Sequence, residues 1–137
     1  MIRIIVADDH RLVRRGITSL LKSSKEIEVV AEAENGNEAV ELTEKLAPDL
    51  VVMDVSMPQL DGISATKRIQ EMDLPTRVLM LSIHRSKSLV RMALSTGAQG
   101  YVLKNKLASD LIPAIHLVKH GDVFISDELG DILGSGC

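Results

Sequence analysis

The sequence predicts an α/β protein: a five-stranded parallel sheet in the strand order 2-1-3-4-5, doubly wound by helices into three αβα layers. Two observations support this fold class. Five short apolar runs alternate along the chain with segments of helical periodicity, a pattern typical of parallel sheets with right-handed crossovers. Four of these runs do not alternate with polar residues, as expected of strands that helices cover on both faces.

The five predicted strands are short and rich in valine, isoleucine and leucine, residues that favour extended backbone. Only the second run alternates with polar residues, which predicts that it forms an edge of the sheet. The predicted strands are Ile2–Ala7, Ile27–Ala33, Leu50–Met53, Arg77–Leu81 and Gly100–Leu103.

Between the strands, apolar residues recur three or four positions apart, which predicts amphipathic helices that pack on the sheet. Gly97 and Gly121 follow the last two helical patterns, as helix-terminating glycines do. Pro113 is expected in the first turn of the last helix, with Ser109 or Asp110 as its cap. The apolar stripes are Leu12 to Leu21, Glu38–Leu46, Ile63–Met72, Leu89–Thr96 and Leu111–Lys119.

Composition places the chain among single-domain proteins of the cytoplasm. It has 137 residues, of which 45% are hydrophobic, and a net charge of −3 that gives the chain itself no basis for binding nucleic acid. The one cysteine, Cys137, excludes an internal disulfide, and neither a signal peptide nor a membrane span is recognisable. We expect a domain over residues 1–121 and a linker over residues 122–137, which lacks a helical stripe after Leu133.

Charged residues end three of the predicted strands. Asp8 and Asp9 follow the first strand, Asp54 ends the third, and Lys104 follows the fifth. In the predicted strand order the first and third strands flank the point where ligands bind, beyond the carboxyl ends of the strands. We therefore expect Asp8, Asp9 and Asp54 to converge there, with Lys104 nearby.

Such a cluster suits a magnesium site that receives a phosphoryl group. Mg²⁺ or Mn²⁺ takes hard oxygen ligands, here the carboxylates of Asp8, Asp9 and Asp54 with the backbone carbonyl of Ser56. Without a cation the three carboxylates repel one another, so at least one pKa is expected to rise. Asp54 is the expected nucleophile and forms an acyl phosphate.

Two further groups are expected to contact the phosphoryl oxygens. Lys104 supplies a compact, mobile cation, and the Ser82 hydroxyl at the end of the fourth strand donates a hydrogen bond. Each of these residues taken alone has an ordinary reading, as a helix cap or a solvated side chain. The joint position of Asp8-Asp9, Asp54 and Lys104 at the ends of the first, third and fifth strands favours the phosphoryl site.

On these motifs the sequence resembles the CheY-like receiver domain of bacterial two-component response regulators. Within that family it resembles the LuxR/NarL-type subfamily, whose members carry a C-terminal helix-turn-helix. The resemblance covers residues 2 to about 121 in the family's order. The matching segments are Val6-Ala7-Asp8-Asp9-His10, Leu50 to Pro58, Leu60-Asp61-Gly62, Leu79-Met80-Leu81-Ser82 and Gly97 to Lys104.

The resemblance implies a role for each matching residue. Asp54 is the phosphoacceptor, Asp9 a direct metal ligand and Asp8 a ligand through water. Ser82 and Tyr101 are the switch pair: the hydroxyl moves to the phosphate, and the ring turns into the space that it leaves. The resemblance implies a signalling protein rather than an enzyme, which promotes only its own phosphoryl transfer and autodephosphorylation.

The resemblance also implies partners. A sensor histidine kinase donates the phosphate and docks around the first helix, where Arg11, Arg14 and Arg15 are candidate contacts. A homodimer is expected through the face of helix 4, strand 5 and helix 5, or through helices 1 and 5. DNA is bound only through a C-terminal domain that this chain does not contain, and no membrane is involved.

Two residues depart from the family pattern. Ile83 stands where most receivers have a small residue, and its bulk is expected to narrow access to Asp54. Asn105 stands where many receivers have a proline after a cis peptide bond. A cis bond before another residue costs roughly 3 kcal/mol, so a trans bond is expected. His10 and His84 flank the site and are interpreted as a first-turn residue and a loop residue.

Other functions fit the residues less well. A haloacid-dehalogenase-type phosphatase needs a general acid two positions after Asp54, where this chain has Ser56. A nucleotide hydrolase needs a Gly-rich loop ending in Lys-Ser or Lys-Thr after the first strand, and a flavin carrier needs a hydroxyl-rich loop and aromatic residues. A receiver that works by protein contact without phosphorylation remains an open alternative.

Overall fold

The computed structural model of the chain describes residues 1–126, which form one parallel sheet with helices on both faces. The strands are β1 (Ile2–Ala7), β2 (Ile27–Ala33), β3 (Leu50–Asp54), β4 (Arg77–Ser82), β5 (Gly100–Leu103) and β6 (Phe124–Ile125). The helices are α1 (Arg11–Lys22), α2 (Gly36–Leu46), α3 (Gly62–Glu71), α4 (Lys87–Thr96) and α5 (Leu107–Lys119), and a 3-10 turn over Lys104–Lys106 precedes the last.

The sheet has the order β2-β1-β3-β4-β5-β6, so the predicted α/β fold and the order of its first five strands are confirmed. The prediction of only five strands is wrong. Phe124 and Ile125 pair in parallel with Gly100 and Tyr101, which brings the first residues of the predicted linker into the sheet. A strand of two residues carries too little periodicity to be seen in a sequence. The rest of that segment, including Cys137, lies outside the described residues.

The two faces of the sheet bury separate apolar cores, as a doubly wound fold requires. One core lies against α2, α3 and α4 and contains Met53, Met80 and Tyr101. The other lies against α1 and α5 and contains Ile4 and Leu79. β3 contributes side chains to both cores and is buried at every position, so its last residue, Asp54, is held by packing on both faces.

Helix α1 departs from its predicted stripe. Leu12, placed on the apolar side by the sequence pattern, is 80% exposed, whereas Arg14 is buried together with Ile17 and Leu21. The buried face is therefore rotated from the predicted one. The ion pairs of Arg14, described below, stabilise a charge that would otherwise be costly to bury.

Helix α5 begins earlier than the sequence pattern indicates. It starts at Leu107, so Pro113 lies inside the helix and not in its first turn, and neither Ser109 nor Asp110 is the cap. Pro113 has no N–H, so the carbonyl of Ser109, four residues earlier, lacks its usual helical hydrogen bond. Both Pro113 and Ser109 are exposed. That carbonyl lies on the solvent side of the helix, where the break costs least.

Helix α4 ends as predicted, at Gly97, which has the left-handed backbone conformation with φ of 119°. Its first turn is capped by the Ser86 side chain, which accepts a hydrogen bond from the Leu89 N–H. Asp61 caps α3 in the same way through the Ser64 N–H. Within residues 1–126, no helix combines the length and the apolar character needed to cross a membrane.

Candidate functional site

The carboxyl edge of the sheet gathers the charged strand ends, as predicted. Ala7 pairs with Met53 in the β1–β3 ladder, so Asp8 lies next to Asp54. Lys104, directly after β5, reaches both carboxylates: its Nζ lies 2.8 Å from Asp8 Oδ2 and 3.3 Å from Asp54 Oδ2. The ammonium of Lys104 therefore bridges the ends of β1 and β3.

Asp8 is fully buried and Asp54 is only 3% exposed. Buried carboxylates are costly unless each oxygen has a partner. Asp8 meets this condition, because Oδ1 accepts a hydrogen bond from the His10 N–H at 2.8 Å and Oδ2 accepts one from Lys104 at 2.8 Å. Asp9 is more accessible, with 29% of its side chain exposed.

Burial and the neighbouring carboxylate of Asp8 raise the pKa of Asp54 above its ordinary value, and Lys104 and the Ser56 N–H only partly oppose this. The prediction that at least one carboxyl pKa rises is thus confirmed. For Lys104, burial acts to lower the pKa, but the contacts with Asp8 and Asp54 outweigh it and hold the pKa above its usual value. Lys104 is therefore a cation throughout the neutral pH range.

The acidic cluster has the chemistry of a divalent-cation site. Asp8, Asp9, His10 and Asp54 each offer one ligand atom, and these atoms lie within 4.8 Å of one another. Three of the four donors are carboxylates, the hard oxygen ligands that Mg²⁺ prefers, so the residues fit the predicted cation. Ser56 donates its N–H to Asp54 Oδ1 at 3.3 Å, and the use of its carbonyl as a ligand stays a prediction.

Ser82 and Tyr101 both contact the backbone of His84. The buried Ser82 hydroxyl accepts a hydrogen bond from the His84 N–H at 2.9 Å, and the Tyr101 hydroxyl donates to the His84 carbonyl at 3.0 Å. The Tyr101 ring is fully buried, so it occupies the inward one of the two positions implied by the resemblance. Burial raises the pKa of its phenol, and a hydrogen bond with Ser82 opposes the rise.

Gly62 determines how the chain leaves the site. Its N–H donates to the Val55 carbonyl at 2.8 Å, which folds the loop after β3 back onto the strand end. A Cβ on Gly62 would run into the backbone carbonyl of Asp54. Glycine is required here by this close approach of two backbone segments, because only glycine leaves the space for it.

An open cleft of about 710 Å³ lies beside the acidic cluster, between the loop after β3 and helix α4. Its lining includes Asp9, Ser56, His84 and Met92. Ile83 is 75% exposed, and its effect on access to Asp54 stays a prediction. Within residues 1–126 every peptide bond is trans, which confirms the trans bond expected before Asn105.

Of the three arginines predicted to contact a kinase, the structure leaves Arg11 and Arg15 exposed on α1 and buries Arg14. The Arg14 guanidinium donates to the Asp8 carbonyl at 2.7 Å and to Glu32 at 3.0 Å. The prediction that Arg14 belongs to an exposed docking face is therefore wrong. Arg14 is buried, and it donates to the backbone carbonyl that follows β1.

Sequence reasoning missed two residues that contribute to the site. His10, interpreted as a first-turn residue, is the N-cap position of α1, and its ring lies against the acidic cluster. Arg14 was assigned to the wrong face. A signal for Arg14 is present in the sequence, because Glu32 and Glu34 close β2 at the same sheet edge and provide the opposite charge.

The fold and this cluster of aspartates and a lysine together define the receiver class of signalling proteins. The chain belongs to that class: the family model described as the response regulator receiver domain matches residues 4–116.

Among individual proteins, the transcriptional regulatory protein DegU of Brevibacillus brevis is 44% identical over 90% of this chain and 52% of its own length. A LuxR-family response regulator from Aurantimonas sp. SI85-9A1 superposes with a TM-score of 0.92 at 34% identity, over 98% of this chain and 96% of that one. A structure of RcsB dimers bound to DNA gives a TM-score of 0.87 at 26% identity, over 97% of this chain and 68% of that one. The chain spans about half the length of DegU.

Proposed function

We propose that this domain is a phosphorylation-dependent switch in which Asp54 accepts a phosphoryl group from the phosphohistidine of a sensor histidine kinase. The observation that carries the proposal is the placement of the Asp54 carboxylate. It ends β3 within 3.3 Å of the Lys104 ammonium and beside the carboxylates of Asp8 and Asp9. This is an arrangement for binding and neutralising a phosphoryl group.

In the proposed transfer, a carboxylate oxygen of Asp54 attacks the phosphorus of a phosphohistidine that is protonated on its other ring nitrogen. The bond from phosphorus to the imidazole nitrogen breaks, so the neutral imidazole leaves and an acyl phosphate forms. Lys104 neutralises one phosphoryl oxygen and remains between Asp8 and Asp54. Asp8, Asp9 and Asp54 would hold a Mg²⁺ ion, Asp9 as a direct ligand and Asp8 through water, and that ion would supply further positive charge at the phosphoryl oxygens.

The acyl phosphate is proposed to persist rather than turn over. A phosphatase that uses a strand-end aspartate needs a general acid nearby, and the position two residues after Asp54 is Ser56. Hydrolysis then depends on water alone, assisted by the charges that also promoted transfer. The chain therefore acts as a signalling protein that undergoes its own phosphoryl transfer and loss, and not as an enzyme with an external substrate.

The signal is proposed to leave the site through Ser82 and Tyr101. The Ser82 oxygen accepts from the His84 N–H, and its own hydrogen is proposed to turn from Tyr101 to a phosphoryl oxygen. The Tyr101 hydroxyl is tied to the carbonyl of the same residue. A shift of Ser82 toward a phosphoryl group thus moves the loop before α4, and with it the face formed by α4, β5 and α5.

The partners proposed for the whole protein follow from its relatives. Response regulators act with histidine kinases, and the exposed Arg11 and Arg15 on α1 are the proposed contacts. Because DegU is a transcriptional regulator and RcsB dimers bind DNA, we propose a C-terminal DNA-binding domain of the LuxR type beyond this chain. Dimers through the α4-β5-α5 face or through α1 and α5, and a cytoplasmic location, belong to the same proposal.

Mass measurement of the intact chain tests the proposal directly. With Mg²⁺ and acetyl phosphate, the wild type is expected to gain one phosphoryl group, and Asp54→Asn is expected to gain none. Asp73→Asn is the matched control, because Asp73 is an exposed loop residue whose left-handed backbone asparagine tolerates. An unmodified wild type would favour an interaction module that works without phosphorylation, and steady phosphate release without an adduct would favour an enzyme.

A further inference from the structure

The imidazole of His10 lies within the acidic cluster, and the function proposed above gives it no role. Its Nδ1 is 3.1 Å from Asp9 Oδ1 and 3.5 Å from Asp8 Oδ1. One of its ring nitrogens falls within the same 4.8 Å as the ligand atoms of the three aspartates. The site is thus a set of three carboxylates and one imidazole.

The backbone holds His10 in this position. Its N–H donates to Asp8 Oδ1 at 2.8 Å, and its carbonyl accepts the Arg14 N–H of the first turn of α1 at 2.8 Å. As the N-cap position, it makes no side-chain capping bond, so the ring is free to face the carboxylates. The ring is 68% exposed, which leaves it accessible to a cation arriving from solvent.

A nitrogen ligand changes the preference of the site among divalent cations. Mg²⁺ binds oxygen ligands and retains much of its water, so it gains little from an imidazole. Mn²⁺, Ni²⁺ and Zn²⁺ accept imidazole and carboxylate together, with affinities that rise along the series from Mn²⁺ to Ni²⁺. The same four residues therefore discriminate between two classes of cation.

We propose that His10 is a fourth metal ligand, and that it makes this site bind first-row transition cations more tightly than Mg²⁺. The proposal deepens the function proposed above, because it concerns the cation site of that function. It adds a nitrogen ligand, which the three aspartates do not provide. In a cell, the cation at Asp54 would then depend on the supply of transition metals as well as of magnesium.

Two of the other histidines must be removed from the test, since their spacing also suits a transition cation. His116 and His120 are four residues apart at the end of α5, a spacing that suits two ligands on one helix face, and His116 lies 3.5 Å from Glu26. The reference protein therefore carries His116→Gln and His120→Gln. Two variants are compared in that background: His10→Gln, and His84→Gln as the matched control at the other side of the cleft.

Calorimetry with Ni²⁺ and with Mg²⁺ gives the first measurement. We expect His10→Gln to weaken Ni²⁺ binding by at least about tenfold, the scale of losing a group that supports a metal, and to change Mg²⁺ binding far less. His84→Gln is expected to leave the ratio of the two affinities unchanged. If Ni²⁺ and Mg²⁺ affinities fall together in His10→Gln, or if neither falls, His10 is not a selective ligand and the proposal is wrong.

Pulsed electron paramagnetic resonance of bound Mn²⁺ gives the second measurement and requires no substitution. A coordinated imidazole produces a nitrogen coupling, which we expect in the reference protein and in His84→Gln but not in His10→Gln. Bound Mn²⁺ without that coupling in the reference protein overturns the proposal. The outcome is separate from phosphorylation, because an absent phosphoryl adduct with Mg²⁺ would contradict the switch and leave the nitrogen coupling intact.

Discussion

The two buried aspartates differ in how well their oxygens are satisfied by hydrogen bonds, and this difference bears on the proposed role of each. Both oxygens of Asp8 accept hydrogen bonds of 2.8 Å, from the His10 N–H and from Lys104. The contacts of Asp54, with the Ser56 N–H and with Lys104, are both 3.3 Å. Since hydrogen bonds weaken with length, Asp54 keeps more of its lone-pair capacity for an incoming electrophile. These contacts support the proposal that Asp8 anchors the site and that Asp54 is the nucleophile.

A substitution at Gly62 tests whether Asp54 needs the close approach of the Gly62 backbone. We expect Gly62→Ala to destabilise the domain and to slow phosphorylation by acetyl phosphate, because the new Cβ must displace the Asp54 carbonyl. The free energy of unfolding from urea titration is expected to fall by about 1–3 kcal/mol, the usual cost of overpacking. Intact mass at timed intervals gives the phosphorylation rate.

Gly16→Ala is the matched control for this substitution. Gly16 also lies in a helix, but a Cβ there would have no neighbour within 4 Å. Alanine in an exposed helical position is expected to stabilise the domain by about 0.5–1 kcal/mol and to leave the phosphorylation rate unchanged. Equal effects of the two substitutions would show that the contact with Asp54 is unimportant.

At the residue scale, sequence reasoning identified the charges that the strand ends carry and missed those that depend on side-chain direction. Asp8, Asp54 and Lys104 follow from strand order alone, because parallel strands bring their carboxyl ends to one edge. The positions of the His10 and Arg14 side chains could be predicted only by knowing how α1 is rotated about its axis. That rotation is set by the pairing of Arg14 with Glu32 across elements, which no local pattern reveals.

At the scale of elements, β6 closes the edge of the sheet next to the functional strand β5. The Ser126 N–H donates to the Tyr101 carbonyl at 3.1 Å. Its buried hydroxyl accepts from the Leu103 N–H at 3.1 Å and donates to Asp110 of α5 at 2.9 Å. One serine therefore joins β6, β5 and α5 directly beside Tyr101, the proposed switch residue. Residues 124–126 thus pack as part of the sheet.

We expect Ser126→Ala to lower the free energy of unfolding by about 1–3 kcal/mol, because it leaves the buried Leu103 N–H and an Asp110 oxygen without their partner. Urea titration measures the loss, and hydrogen exchange at the Leu103 amide is expected to become faster. Ser95→Ala is the control, since Ser95 is exposed and bonds only to the Met92 carbonyl of its own helix. A loss no greater than that of the control would mean that β6 does not stabilise β5.

The sequence predicted those elements well whose apolar pattern continues over four or more residues. The first five strands begin where the apolar runs begin, since burial on both faces leaves a continuous signal. The starting point of α5 and the strand β6 were not predicted. Pro113 suggested that α5 begins close to it, but an exposed proline can also lie inside a helix, as it does here. The two residues of β6 form a strand by pairing with β5, which the sequence of β6 alone does not indicate.

For the whole molecule, the two ends of the sheet shift the pKa of a carboxyl group in opposite directions. At the amino end, Asp49 accepts a hydrogen bond from the Arg3 N–H at 2.8 Å and pairs with Lys119 of α5 at 2.9 Å. The Arg3 hydrogen bond, with help from Lys119, holds the pKa of Asp49 below its ordinary value despite some burial. At the carboxyl end, burial and Asp8 hold the pKa of Asp54 above its ordinary value. Hydrogen bonds favour the charged carboxylate at the amino end, whereas burial disfavours it at the carboxyl end.

The burial of Tyr101 makes the stability of the whole domain sensitive to alkaline pH. Tyr101 is the only tyrosine and the chain has no tryptophan, so phenolate absorbance reports on this residue alone. Burial raises its pKa above the ordinary value of 10.0, because the folded core disfavours the phenolate. The neutral phenol's contribution is therefore complete below pH 10.0 and is lost as the pH rises through the folded-state pKa.

We therefore expect the native phenolate titration to have its midpoint above pH 10.0, and the same titration in concentrated urea to return to the ordinary value. Over that interval the unfolding free energy of the wild type should fall relative to Tyr101→Phe, by at most about 1.4 kcal/mol per pH unit for one proton. Loss of the hydrogen bond to His84 shifts the variant by a constant amount, so the slope of the difference against pH isolates the phenol. A native midpoint at the ordinary value, or a difference that does not change with pH, would place the ring outside the core.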